Sequence, residues 1–314
     1  MIRFLLGRLV GLLLTLWISS FVVFAALYLA PGDPISFLTG GREVSPLTLA
    51  ELRHQYQLDQ PFLVRYADWL GGVLHGHLGQ SIVAHQDVST LIGARAQTSA
   101  LLVGYAAVLI ILGGIAAGTI AALFKGPLDS GITLGTTVGL ALPSFVTAIA
   151  LISVFAVDVR WFPVFGDGSG LLDRLWHLTL PAIALAVSSS ALIARITRGA
   201  LREELGREHV ETARSRGIPR RKILRRHVLR NGMIPVTTVA GITVAGLVAG
   251  SVVVERAFNL NGLGSFLVQS VAANDFPAVQ AVVLLMVAVF VILSTVVDLL
   301  YPLIDPRMAR GGTQ

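Results

Sequence analysis

Six runs in the 314-residue chain carry almost no formal charge over about the 20 residues that a helix needs to cross the hydrocarbon of a bilayer. They lie at 9–30, 99–124, 131–157, 175–195, 233–254 and 277–297, the fourth closing on Arg195. In lipid a backbone N–H or C=O has no water to bond, so each run must satisfy its own hydrogen bonds as a helix. The expectation is an all-α integral membrane protein with six transmembrane helices. With 54% hydrophobic and 13% charged residues and a mean hydropathy of +0.76, the composition excludes an ordinary soluble domain. The first run is too long for a signal-peptide core, and Leu27-Tyr28-Leu29 is not a small-residue cleavage site. It reads as a retained helix.

Charge sets the expected orientation. Between Arg195 and Arg230 stand twelve Arg or Lys and only four Glu. Placing the N-terminus inside puts Arg3, Arg8, Lys125, this island, Arg307 and Arg310 in the cytoplasm, which gives 17 basic residues inside against 7 outside. Cytoplasmic loops concentrate Lys and Arg in this way, so the net charge of +6 reports topology rather than nucleic-acid binding. The expected division is a cytoplasmic end and first helix at 1–30, an extracellular segment at 31–97 and a five-helix core at 98–303. That core carries a cytoplasmic loop at 199–232, and a cytoplasmic tail follows at 304–314. Leu52, Tyr56, Leu58, Trp69 and Leu70 have the spacing of short amphipathic helices within the outer segment.

Inside the basic island, Glu211-Thr212-Ala213 is followed by Gly217, Pro219 and, where the next apolar run begins, Ile234-Pro235. The pattern predicts a helix with Glu203, Glu204, Glu208 and Glu211 upstream and Arg214 and Arg216 in its last turn, charges that oppose the helix dipole. Gly217 supplies the left-handed stop and Pro219 blocks continuation. A second helix follows. These residues resemble the coupling loop of ABC-importer permeases, with Thr212 in place of the usual second alanine.

Other motifs extend that resemblance, toward the peptide/nickel (dipeptide and oligopeptide) branch, from end to end. They are Pro31-Gly32-Asp33-Pro34 after the first span, LDQPFLVRYADWL at 58–70, HGHLGQS at 75–81, VVVERAFNLNGLGSF from Val252 and Asp305-Pro306-Arg307. Asn261 stands where that branch has proline in its V-E-x-x-F-x-x-P-G-L-G element, and His77 where it has aspartate. The resemblance implies a type I importer permease fold with a cytoplasmic coupling helix at Glu211, Thr212, Ala213 and Gly217. It also implies a second related permease, two ATPase subunits and an extracytoplasmic substrate-binding protein as partners, in a bacterial cell membrane with both termini cytoplasmic. The expected cargo is a peptide or similar small solute, the substrate itself being unspecified.

Three further sets of residues are singled out. Gly114 with Gly118, Gly135 with Gly139 and Gly246 with Gly250 form small-xxx-small pairs suited to close helix approach. Thr136, Thr137, Ser144, Ser188, Thr237 and Thr238 place hydroxyls within spans, where they either bond neighbouring helices or line a path, and Pro143 and Pro181 are positions for kinks. Tyr66, Trp69, Glu255, Phe258, Gly262 and Gly264 fall in the outer segments that would meet a binding protein.

Several chemistries are missing. No G-x-x-x-x-G-K-[ST] phosphate loop exists, and the only lysines are Lys125 and Lys222, so ATP and Mg²⁺ are expected on partner subunits and no cofactor on this chain. Asp158, Glu255 and Asp298 lie at span ends, so a proton relay of the secondary-transporter kind has no obvious residues; a stand-alone channel or secondary transporter is the alternative reading, and the coupling-type loop favours the importer over it. A non-transporting scaffold leaves the coupling-type loop unexplained. His75, His77 and His85 read as exposed loop histidines, since no further ligand stands at zinc spacing. With no cysteine there is neither a disulfide nor a thiol nucleophile.

Overall fold

The computed structural model describes residues 2–28, 45–48, 50 and 59–304. Pro31-Gly32-Asp33-Pro34, the positions Leu52, Tyr56 and Leu58, and Asp305-Pro306-Arg307 lie outside the described residues. The helices are α1 Ile2–Tyr28, α2 Phe62–Leu74, α3 Val88–Leu123, α4 Pro127–Ala141, α5 Ser144–Asp158, α6 Leu171–Leu205, α7 Glu208–Ser215, α8 Arg220–Ala257, α9 Leu263–Ala272 and α10 Phe276–Ile304. Five of them are long and apolar enough to cross a membrane, and α4 with α5 makes a sixth crossing only as a bent pair.

That pair corrects the uninterrupted helix expected over 131–157. α4 and α5 meet at 106°. A residue before proline is driven out of the helical region, and Leu142, ahead of Pro143, takes φ −82° and ψ 118°. Pro143 produces a break where only a kink was expected, whereas the buried Pro181 stays inside an unbroken α6. Two spans also outrun their apolar stretches. α3 has 36 residues and begins at Val88, inside the segment expected to be extramembrane, and α6 has 35 residues and runs beyond Arg195 to Leu205.

The bundle is centred on α3 against α6, its most extensive contact. Small residues permit it: a Cβ added at Gly114 would lie 2.7 Å from Ile193 Cβ, and one at Gly118 would lie 2.5 Å from Thr197 Cβ. Gly139 meets Ala191 and Gly250 meets Leu185, but Gly135 and Gly246 face open space, so the expected pairs supply seams on one member each there. Leu102, Ala106, Ile110, Leu178, Leu185 and Ile193 fill the middle of the bundle. At one end, Val88 and Ile92 pack with Phe266 and Val282; at the other, Ala122, Leu201, Val210, Ala213, Ile223 and Val228 form a separate cluster beneath the basic connection.

α2 lies along α1. Tyr66 OH and Ser20 Oγ share a 2.8 Å hydrogen bond, and the rings of Phe21, Phe24, Phe62, Tyr66 and Trp69 stack edge to face or tilted around it. The Tyr66 side chain, expected on an outer contact face, is thereby buried and Trp69 half-buried.

Candidate functional site

The connection between α6 and α8 folds differently from the single acidic-to-basic helix expected. Gly206 divides it, so Glu203 and Glu204 close α6, and the short α7 holds only Glu208 to Ser215. Its end is a double cap in which Ile218 N–H donates to the Ala213 carbonyl at 3.2 Å and Gly217 N–H to the Arg214 carbonyl at 2.9 Å. This geometry needs a left-handed residue, and Gly217 has φ +72°. Pro219 then opens α8, which continues without interruption through Pro235 into its span. The separate second helix is the start of that long one.

α7 has two faces. Val210 and Ala213, three residues apart, are buried against Ala122, Leu201, Ile223 and Val228, the ends of three other helices. Glu208, Glu211, Thr212 and Ser215 are exposed. Ala213 is thus 5% exposed and turned into its own chain, while Gly217 lies on the surface; the two do not form a common outward contact.

Glu204, read from the sequence only as one of the acidic residues opening a helix, holds this platform in place. Glu204, 3% exposed, accepts a hydrogen bond from Asn231 Nδ2 at 2.8 Å and pairs with Arg207 Nε and His209 Nε2, both at 3.1 Å. A carboxylate in the last turn of a helix is repelled by the negative end of the dipole, and a buried one needs several donors; here α8, the α6–α7 turn and α7 each provide one. Beside it, Asp129 at the start of α4 accepts Arg198 Nε at 2.6 Å and an Arg202 amino group at 2.7 Å, tying α4 to α6.

Toward the middle of the bundle, the α4–α5 break, α6 and α8 surround a cavity of about 480 Å³. Ser144 and Ser188 meet there, together with Ser189 and Thr243. Thr136 and Thr137 border a smaller recess of about 120 Å³ with Arg195 and Arg198. Neither of the two roles expected for the hydroxyls describes every one: Thr136 and Thr137 bond the Thr133 carbonyl, and Thr237 and Thr238 the Ile234 carbonyl, each within its own helix. Among the described residues no group of three His, Cys, Asp or Glu could hold a metal ion, and His75, His77 and His85 are exposed.

Residues 110–310 match the family of binding-protein-dependent transport system inner membrane components, and residues 1–98 match its N-terminal domain. The chain belongs to that family of importer permeases. It is 37% identical over 310 residues to the glutathione transport system permease protein GsiC of Salmonella typhimurium, covering 98% of this chain and 99% of that protein. The protein of the same name from Escherichia coli K12 is 34% identical with equal coverage. A solved structure described as an amino acid ABC transporter with histidines superposes with a TM-score of 0.53 at 18% identity, over 70% of this chain and 94% of that one, which supports the fold. This permease is a multi-pass inner-membrane component of a binding-protein-dependent ABC importer and not its catalytic subunit. A binding protein, an ATPase and a partner permease are implied by its family.

At the other end of the permease, the V-E-x-x-F element is internal. Glu255 is fully buried, with Oε1 accepting from Ser99 Oγ at 2.6 Å and Oε2 from the Gly264 and Ser265 N–H groups at 2.7 and 3.1 Å. Ser99 Oγ in turn accepts from Leu263 N–H at 2.8 Å, so the pair satisfies the first three amides of α9. Phe258, Gly262 and Gly264 are buried around it. This corrects the surface placement of all four: they brace the corner between α8 and α9. Asp275 does the same for α10, accepting from Ser81 Oγ and from Ile82 N–H at 3.2 Å, and so anchors the HGHLGQS segment. Its long-range partner left no local signal in the sequence.

Proposed function

We propose that the permease forms, with a related second permease, the membrane path of an importer for glutathione-class short peptides. The full-length likeness to the glutathione permeases supports this cargo, since no part of the chain falls outside the alignment except a few terminal residues. The cavity at the α4–α5 break suits it in kind: serine and threonine hydroxyls offer neutral donors and acceptors to peptide groups without trapping them by charge.

In this reading two ATPase subunits serve the permease pair, and one engages the exposed face of α7 through Glu208, Glu211, Thr212 and Ser215. Val210 and Ala213 seat that helix on the ends of α3, α6 and α8, so a shift of α7 reaches the spans directly. The α7 end and both termini lie in the cytoplasm, in keeping with the basic residues gathered there. The binding protein docks at the opposite end, on the exposed residues around the two braced corners. His75, His77, Asn259, Asn261 and Gln269 are exposed there. Residues 31–97 then serve mainly as an outer segment, 98–303 as the translocating core.

Uptake of radiolabelled glutathione into proteoliposomes holding the complete importer tests the proposal. Saturable uptake that requires ATP and the binding protein, and that unlabelled glutathione suppresses more strongly than a dipeptide, is expected. ATP-driven dipeptide uptake with no glutathione uptake would move the cargo elsewhere in the peptide class.

A further inference from the structure

Next to α7 lies a recess that the transport reading leaves without a role. It has a volume of about 750 Å³ and opens between the end of α3, the last turns of α6, the α7–α8 turn and the first turn of α8. Lys125, Arg202, Arg214 and Arg220 line it, and none of the described lining residues is acidic. The nearest neutralising contact is shared: Asp129 pairs with Arg198 as well as Arg202, leaving that cluster net positive. Arg202 Nε is buried with no hydrogen-bond partner. Four cations facing one void repel one another, and their arrangement becomes favourable when an anion enters.

The rest of the wall is aliphatic, with Leu123, Leu205, Ile218 and Leu224 beside the charges. A small soluble anion has no use for these groups. Leu123 closes the apolar stretch of α3, which sets that side of the recess at the edge of the hydrocarbon, while Leu205 ends the part of α6 that extends past Arg195. The ATPase face of α7 is built from other residues and carries Glu208 and Glu211, so it does not share the chemistry of the recess.

We propose that the recess binds an anionic phospholipid, its phosphate among Lys125, Arg202, Arg214 and Arg220 and its first methylenes along the leucine wall. Basic residues at a membrane surface, backed by apolar wall, are the combination that holds such headgroups. A lipid there ties the end of α3 to the turn after α7, and so makes the seating of α7 depend on the composition of the leaflet. The proposal goes beyond the transport reading and is independent of the cargo.

The full-length permease, in phosphatidylcholine nanodiscs, is titrated with spin-labelled phosphatidylglycerol and the immobilised lipid read by electron paramagnetic resonance. Lys125→Gln/Arg220→Gln should weaken binding by roughly tenfold, while Arg225→Gln/Arg226→Gln, which removes equal charge outside the recess, should stay within about twofold. Lys125→Arg/Arg220→Lys keeps the charge and should retain binding, which separates loss of the site from loss of fold. Equal weakening by the two glutamine pairs, or none by the first, would overturn the site. Displacement of the spin label by millimolar inorganic pyrophosphate would show a soluble-phosphate site and overturn the lipid assignment. If the first glutamine pair releases the ATPase from the assembled importer while lipid binding is unchanged, the recess is a protein contact and the proposal fails.

Discussion

Glu255 Oε2 accepts the backbone N–H of Gly264 at 2.7 Å, and a Cβ on Gly264 would fall 3.0 Å from that same oxygen and 2.5 Å from Val252 Cα. The carboxylate and the missing side chain are two halves of one joint, which turns the chain from α8 into α9. Glu255→Ala strands buried amide donors of α9 and the Ser99 hydroxyl, at a cost of about 3 kcal/mol or more. Gly264→Ala forces backbone apart. Both should lower the thermal unfolding midpoint of the detergent-purified permease by several degrees; a wild-type midpoint in either variant would contradict the joint.

The two faces of α7 predict separable defects. Ala213→Asp buries an unpaired charge and Gly217→Val sets a β-branched residue at φ +72°, a strain of about 1–3 kcal/mol. Each should release α7 from its seat, so trypsin cleaves at Arg214 and Arg216 faster than in the wild type. Glu211→Gln changes only the exposed face and should weaken ATPase pull-down with tryptic resistance intact. Arg225→Gln should be mild in both assays. Normal proteolysis of Ala213→Asp would show that Ala213 does not seat the helix.

Helix spacing gives a third contrast, inside the spans. Gly118→Val on α3 meets the Ala194 carbonyl and Thr197 on α6 and should destabilise the bundle by about 1–3 kcal/mol, visible as reduced monodisperse yield. Gly113→Ala has nothing within 4 Å of its new Cβ and should behave as wild type. Equal yields for the two would sink the α3–α6 seam.

Orientation is open to direct labelling, because the chain contains no cysteine of its own. Lys222→Cys should react with an impermeant maleimide only after the membrane is opened, and Asp68→Cys, exposed on α2, should react from outside in intact cells. The reverse pattern would invert the topology.

The connection between α6 and α8 shows how far a linear reading reaches. Its position between two spans, its basic excess, the stop at Gly217 and the start at Pro219 all follow from local propensity. The division at Gly206 does not, because Glu203 to Ser215 reads equally well as one helix until Asn231 and His209 are found on Glu204. The inward turn of Ala213 was equally hidden, since an alanine three residues from a valine marks a face but not the surface that covers it.

By itself the sequence determined that the chain is a helical membrane protein, which runs are long and apolar enough to cross a bilayer, where the basic residues gather and which family its motifs resemble. Desolvation of backbone groups and screening of charge act on composition and position along the chain, so they can be read in one dimension. Only the tertiary structure decided that α4 and α5 part at 106°, that Ser144 and Ser188 share a cavity, and that Glu204, Glu255 and Asp275 are buried and satisfied. Each of these depends on a partner distant in sequence, as Ser99 is from Glu255 and Ser81 from Asp275, and a hydrogen bond is specified by where two groups meet, not by either group alone.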